Sequence, residues 1–141
     1  MAVHPLVEKV LAARPPIAKL IGFTVEEIGA GRPLGSLQAG PEHANSMGTL
    51  HGGILCDVSD AAMGMAFATT LAPEESFTTV TLSIRFFRPV WHALLRAEVR
   101  VTNRGKNVGY VECDVTDQDG RPIAKASSTC FVLRGEHART R

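Results

Sequence analysis

The chain has 141 residues, of which 45% are hydrophobic and 21% charged, and this composition is typical of a globular domain with a buried core. Its formal net charge of +1 excludes the general affinity for nucleic acid that strongly basic proteins show. The amino terminus lacks the pattern of a secretory leader, and no apolar run approaches the ~18 residues of a membrane span. We therefore expect a single domain over residues 1–141, in the cytoplasm and without membrane contact.

The first predicted elements are a short helix and a hairpin. Leu6, Val10 and Leu11 suggest a helix, which the segment RPP at 14–16 ends or interrupts because proline disfavours helix in the residue before it. Residues 23–39 follow as a predicted pair of strands that turn at GAGRP.

A long helix is predicted from Gly52 to about Leu71. This stretch has no proline, few β-branched residues and many Ala and Met until LAPEES stops it, which indicates about 20 residues of helix, or ~30 Å. Its apolar residues lie on every face, and this pattern is typical of a helix enclosed by protein.

Four predicted strands complete the chain. The segments 76–90, 94–105, 107–120 and 121–133 each show alternation or β-branched enrichment and end in a turn signal. The connections NRGKN and DQDGRP are short enough to join antiparallel neighbours. The elements together predict an α+β fold.

The three cysteines, Cys56, Cys113 and Cys130, have no metal-ligand spacing, and we interpret all three as small reduced core residues. A thiol nucleophile at Cys56 is the alternative, but His51 lies on a turn of its own and no second base is evident.

Charge is unevenly placed along the chain. Residues 51–80 carry four acidic residues and no Lys or Arg, whereas residues 85–106 carry six basic residues against Glu98 alone. The six are Arg85, Arg88, Arg96, Arg100, Arg104 and Lys106. This stretch could face an anion, although a solvated strand end is the simpler explanation of any single one of them.

The segment NSMGTLHGG at 45–53 leads directly into the long helix, which carries Asp60. The first amides of a helix are unpaired and lie at its positive end, so Gly52 and Gly53 can stabilise negative charge on a carbonyl oxygen. Asp60 is a candidate base or nucleophile, and desolvation would raise its pKa. The simpler alternatives are a satisfied loop histidine at His51 and a hydrogen-bonded polar residue at position 60.

The order helix, hairpin, N-x-x-G-x-x-H-G-G loop, long helix and four strands resembles the hotdog-fold acyl-CoA thioesterases, most closely the phenylacetate-pathway (PaaI-like) group. The resemblance covers residues 15 to 133, approximately. It is carried by Asn45, Gly48, His51, Gly52, Gly53, Asp60, Ala61 and the segment FFRP at 86–89. It implies an antiparallel sheet wrapped around one long central helix, and hydrolysis of an acyl-CoA to the free acid and coenzyme A without metal or redox cofactor.

The resemblance also implies roles for single residues. Asp60, nine positions after the motif histidine, becomes the catalytic carboxylate, and the Gly52 amide becomes the donor to the thioester oxygen. Asn45 and His51 hold the loop and the region of the substrate carbonyl. Asp57 matches no position of the family pattern, and we expect a solvated, capping-adjacent or interface residue there.

A hydroxyl ten residues before the RP proline often helps to place the attacking water in relatives, and here that position is Thr79, with Thr78 beside it. Some relatives carry Thr four residues after the acid, where this chain has Gly64, which leaves more room for an acyl group. Met63, Met65 and Phe67 could line that space, although such residues on a central helix are more often core. The predicted substrate-binding residues are Gly53, Met63, Gly64, Thr78 and, for the coenzyme A phosphates, Arg88, Arg104 and Lys106.

The sequence thus predicts hydrolysis of a medium-chain or aromatic acyl-CoA, with Asp60 as general base or nucleophile. A non-catalytic module that senses acyl-CoA is one alternative, but it would not require an acid at position 60. A hotdog hydratase or dehydratase is the other, but it would use its histidine and acid in a different motif.

The spacing of Gly52 and Asp60 predicts self-association. Eight residues of helix separate them by ~12 Å, which is too long for both groups to act on one thioester. A two-fold dimer with antiparallel central helices would bring Gly52 of one subunit to Asp60 of the other. Hotdog relatives are dimers that often pair into tetramers, so a homodimer, and from it a homotetramer, is expected.

Overall fold

The computed structural model describes residues 3–29 and 32–139. Its elements are α1 (Pro5–Ala12), α2 (Pro16–Ile21), β1 (Phe23–Ile28), β2 (Arg32–Ala39), a 3₁₀ turn (Pro41–His43), α3 (Gly52–Ala68), β3 (Ser76–Phe86), β4 (Ala93–Arg104), β5 (Val108–Thr116), β6 (Pro122–Leu133) and α4 (Glu136–Arg139). The predicted elements occur in the predicted order, and α2, the 3₁₀ turn and α4 are additional to them. Within the described ranges, no helix is both long enough and apolar enough to cross a membrane.

Proline divides the amino-terminal segment into two short helices, as the RPP segment predicted. Ala13 is extended after α1, and Pro16 takes the first position of α2, where its missing N–H has no intrahelical partner to lose. Gly22 ends α2 with a φ of 93°, a left-handed conformation that favours glycine. The chain is thereby redirected into β1.

The six strands form one antiparallel sheet in the order β1-β2-β4-β5-β6-β3. Helix α3 contacts all six strands, so the predicted sheet around one long helix is confirmed. Alternate residues of a strand point to opposite faces, and in β4 the residues that face α3, such as Leu95 and Ala97, are buried. The core therefore lies between α3 and the inner face of the sheet.

The protein does not enclose α3 on every side, and this corrects the sequence prediction. The helix has 17 residues, ends at Ala68 rather than near Leu71, and buries only the side that faces the sheet. A second side is half-buried or exposed, and we call it the open face: Gly53, Cys56, Asp57, Asp60, Ala61 and Gly64. These residues recur three or four positions apart and form one stripe. Although α3 is apolar nearly all round, the single chain therefore leaves one of its sides uncovered.

The three cysteines differ in burial. Cys113 and Cys130 are buried and free, and burial raises the pKa of the Cys113 thiol to about 12. Cys56 is also free but lies half-buried on the open face, so the prediction of three core cysteines is wrong for this one.

Strand β3 forms one edge of the sheet. Its described neighbour is β6 alone, so the other side of its backbone is left without a strand along eleven residues. A register shift between Thr79 and Thr81 marks a bulge, and the Val80 side chain is 59% exposed there. A long edge strand of this kind can accept another strand.

Candidate active site

Asn45 builds the turn that precedes α3. Its Oδ1 accepts hydrogen bonds from the amides of Met47 at 2.9 Å and Thr49 at 3.1 Å, and its Nδ2 donates to the Thr49 hydroxyl at 2.9 Å. Gly48 in the same turn has a φ of 86°, which favours glycine. Asn45 therefore shapes the loop.

His51 is the amino-terminal cap of α3. Its Nδ1 accepts a hydrogen bond from the Gly53 amide at 2.9 Å, and its carbonyl accepts one from the Ile54 amide at 3.0 Å. The Gly52 amide has no hydrogen-bond partner among the described residues. Of the two glycine amides that the sequence offered as donors, only that of Gly52 is open, because the histidine occupies the other.

The Phe86 ring packs directly against Gly52. A Cβ atom at position 52 would lie 2.8 Å from Cζ of Phe86, so a larger residue there would have to displace the ring. Phe86 is the last residue of β3 and is 53% exposed. No sequence signal pointed to this contact, although the FFRP segment contains the residue. Gly52 and Phe86 border a groove of about 390 Å³, which is lined also by Thr49, Leu50, Leu55, Phe87, Arg88, Pro89 and Val90.

Asp60 lies in the middle of the open face. Its carboxyl is exposed in the single chain, yet the surrounding protein still removes enough water to raise its pKa, and the charge of nearby Asp57 raises it further. The predicted direction of the pKa shift is confirmed. Asp60 is eight residues beyond Gly52 on one continuous helix, about 12 Å along the axis.

Thr79 lies on the same side of the sheet as α3. It is opposite Cys130 in the β3–β6 pairing, and the charge of Asp60 helps to raise the pKa of the Cys130 thiol, after burial as the main cause. Thr79 thus acts on the Cys130 thiol through a hydrogen bond, and Asp60 acts on it through its charge. Thr78 pairs with Phe131, which is exposed on the outer face, so alternation directs Thr78 away from Asp60.

The two residues predicted to bind the acyl group, Met63 and Gly64, lie in different environments. Met63 is 1% exposed and belongs to the core between α3 and the sheet. It lines neither the Gly52 groove nor the apolar cleft that Gly64 lines. Gly64 and Met65 line an apolar cleft beneath α1 and α2, whereas Phe67 is fully buried.

The basic stretch 85–106 does not form one patch. Arg88 borders the Gly52 groove, whereas Arg104 lies past the carboxyl end of α3, where it donates to the Thr70 hydroxyl at 3.0 Å and approaches Glu75 at 3.3 Å. Its guanidinium also lies 5.4 Å from the centre of the Phe67 ring. Arg104 is therefore engaged within its own chain. Lys106 is exposed on the β4–β5 turn.

No group of three or more His, Cys, Asp or Glu side chains in the described ranges is arranged to hold a metal ion.

Comparison with known proteins places these residues in a family context. Residues 47–124 match the family described as the thioesterase superfamily. A proposed esterase of Saccharolobus solfataricus is 29% identical over 128 residues, 91% of each chain. A phenylacetic acid degradation-related protein of Ralstonia eutropha has a similar structure, with a TM-score of 0.77 and 29% identity over 89% of this chain and 98% of that one. The PaaI protein of the E. coli phenylacetic acid degradation operon has the same fold, with a TM-score of 0.80 at 19% identity, covering 95% and 98% of the two chains.

Proposed function

The chain belongs to the thioesterase superfamily, has the hotdog fold and is a thioester hydrolase, and on that premise we propose that it hydrolyses a medium-chain or aromatic acyl-CoA at a site built from the amino terminus of α3 and Asp60. Family membership favours hydrolysis over the sensing and hydratase alternatives, because both of those would use the fold for something other than cleaving a thioester. The two sections of the site supply different parts of the chemistry.

The open Gly52 amide carries the proposal. Attack on a thioester places negative charge on its carbonyl oxygen, and an amide at a helix amino terminus lies ready for that charge. The neighbouring Gly53 and Ile54 amides are already bonded to His51, so of the first three amides of α3 only that of Gly52 remains for a ligand. Loss of one such donor costs about 10² to 10³ in rate in other enzymes.

Asp60 supplies the second part. As a general base, its carboxylate takes a proton from water while the water oxygen bonds to the acyl carbon; the bond from carbon to sulfur then breaks, and the coenzyme A thiolate takes up the proton. As a nucleophile, the carboxylate attacks the carbon itself and expels the coenzyme A thiolate, and water then hydrolyses the resulting anhydride to the free acid and the Asp60 carboxylate. Thr79, which lies opposite Cys130 on the α3 side of the sheet, is suited to hold the water in either scheme.

Three observations support a site shared between two copies of the chain. The ~12 Å along α3 exceeds the reach of one thioester, the open face of α3 lacks a cover, and β3 has a free edge. A two-fold dimer that covers the open face and pairs the two edges would bring Gly52 of one subunit near Asp60 of the other. We propose this homodimer as the catalytic unit, with a homotetramer as its further assembly.

The proposal is tested by following thiol release from a panel of acyl-CoAs that differ in chain length and aromaticity. We expect turnover with medium-chain or aromatic members, without added metal. If the protein bound these compounds but released no thiol from any of them, hydrolysis of acyl-CoA would be excluded as its activity.

Arg88 and Lys106 are the proposed contacts to the coenzyme A phosphates. We expect Arg88→Ala and Lys106→Ala to raise KM more than they lower kcat, since a remote phosphate contact acts in the ground and transition states alike. The effect should shrink as salt rises.

Arg104→Ala is the control for charge. Arg104 is held by Glu75 and Thr70, so its loss should lower Tm and leave KM nearly unchanged. If instead Arg104→Ala raised KM at low salt and the other two variants did not, the phosphate contact would be Arg104 rather than Arg88 or Lys106.

A further inference from the structure

We propose that Phe86 is a positioning residue of the reaction site, whose ring excludes water from one side of the Gly52 amide and thereby strengthens the hydrogen bond that this amide donates to the developing oxyanion. This inference rests on the proposed hydrolysis of acyl-CoA, and it assigns a role to a side chain that has no reactive group. Phe86 acts through Gly52 and not on the reacting atoms themselves.

The sheet holds the Phe86 ring in place. Phe86 is opposite Ala124 in the β3–β6 pairing, and Ala124 is buried on the inner face of the sheet. The amide of Phe87, the next residue, donates a hydrogen bond to the Ile123 carbonyl at 2.9 Å. Because paired residues of neighbouring strands lie on the same face, Phe86 points from the end of β3 toward the beginning of α3. The position of the ring is therefore fixed by the sheet and not by the helix that it covers.

The tip of the ring meets Gly52. A Cβ atom at position 52 would lie 2.8 Å from Cζ, 3.1 Å from Cε1 and 3.3 Å from Cε2 of Phe86, so glycine is the residue that leaves the ring undisturbed. The same ring borders the groove of about 390 Å³ at this helix terminus. It therefore separates the first residue of α3 from solvent on one side and forms part of the groove on the other.

An apolar cover increases what the Gly52 amide can contribute. The direction of the first turn is already fixed by His51, which accepts hydrogen bonds from the Gly53 amide at 2.9 Å and the Ile54 amide at 3.0 Å. Water beside the Gly52 amide would compete for its hydrogen and weaken its attraction for negative charge. Since one oxyanion donor contributes about 10² to 10³ in rate, we expect the exclusion of water by the ring to supply about tenfold of it.

The first experiment removes the ring. Phe86→Ala should lower kcat about tenfold and leave KM nearly unchanged, because the ring supports an interaction that strengthens in the transition state. A thioether analogue of the best substrate, which has no carbonyl oxygen, should bind with an unchanged Kd. The acidic limb of the rate should stay at the same pH, since the substitution leaves Asp60 in place.

Two further variants separate this role from packing alone. Phe86→Met keeps a long apolar side chain beside Gly52 and should restore most of kcat. Phe131→Ala is the matched control, because Phe131 is a half-exposed phenylalanine on the outer face of the neighbouring strand β6. It should change kcat by less than twofold, and Tm of every variant is measured beside its kinetics.

A double-mutant cycle tests the contact itself. Gly52→Ala retains the amide N–H, but its Cβ would displace the tip of the Phe86 ring, so it should also lower kcat about tenfold. In Gly52→Ala/Phe86→Ala the ring is already absent, so the added Cβ should cost little more. The loss in the double variant should therefore stay near tenfold, and not reach the product of the two single losses.

The outcomes separate the inference from the proposed function. Parental kcat in Phe86→Ala, a rise in KM and Kd with kcat intact, or multiplied losses in the double variant would each overturn the inference alone. Absence of hydrolysis of every acyl-CoA by the unmodified protein would overturn the proposed function and this inference with it. A loss of kcat that Phe86→Met restores and that the double variant does not deepen supports the ring as the cover of the Gly52 amide.

Discussion

Asp60→Asn is expected to reduce kcat by about 10² to 10⁴, the range that a positioned general base contributes, while acyl-CoA binding and Tm change little. Asparagine keeps the shape of the side chain and removes the charge that accepts a proton or attacks the carbon. Because Asp60 is exposed in the single chain, the substitution disturbs no core packing. Steady-state thiol release and a binding titration with the best substrate measure the two effects separately.

Asp57→Asn is the matched control, since Asp57 lies one turn earlier on the same open face. Its plateau rate should stay near that of the parent, but its pH profile should move. Burial and the Asp57 charge both raise the pKa of Asp60, so the active carboxylate forms only above the ordinary ~3.9. Removing the Asp57 charge lowers that pKa and should shift the acidic limb of kcat/KM to lower pH. Near-parental turnover by Asp60→Asn would refute a catalytic carboxylate at this position.

Activity is expected to reappear when two inactive variants, Asp60→Ala and Asn45→Ala, exchange subunits. Asn45 shapes the loop that presents the Gly52 amide, so its loss damages the half of the site that Asp60 does not supply. In a mixed dimer with shared sites, one site has both residues intact and the other has neither. Random mixing of equal amounts then gives about one quarter of the parental activity per chain, from the statistics of a two-fold dimer.

This experiment requires that each variant be nearly inactive alone and that exchange be verified, for instance by mass tags on one variant. If each site lay within one chain, every site in the mixture would carry a lesion. No recovery after verified exchange would therefore place Asp60 and its amide donor in the same subunit, and would require the chain to bridge ~12 Å along α3.

Much of the fold could be predicted because its signals are local. The helix-forming composition of α3, the strand alternation and the proline and glycine at the ends of α2 each act within a few residues. The role of the loop was accessible for the same reason, since Asn45 and His51 bond to groups within four residues of themselves.

The features that the sequence did not reveal depend on contacts between distant parts of the chain. The sequence allowed Arg104 to be a phosphate contact, but in the structure its guanidinium donates a hydrogen bond to Glu75, 29 residues away. Phe86 lies far from Gly52 along the chain, so no spacing revealed that the two touch. The open face of α3 was missed because an apolar pattern on every side shows that a helix avoids water, and does not show whether its own chain supplies the cover.

The free edge of β3 has a consequence for the chain before it finds a partner. A single copy presents one unpaired side of an eleven-residue strand, of which only Arg85 is charged, and such an edge can recruit strands from unrelated unfolded chains. The bulge at Thr79–Thr81 interrupts the regular ladder and shortens the stretch on which a cross-β stack could grow. Pairing of identical chains in the proposed dimer would then protect against aggregation as well as complete the proposed catalytic unit, so the yield of native protein should depend on how fast copies meet during synthesis.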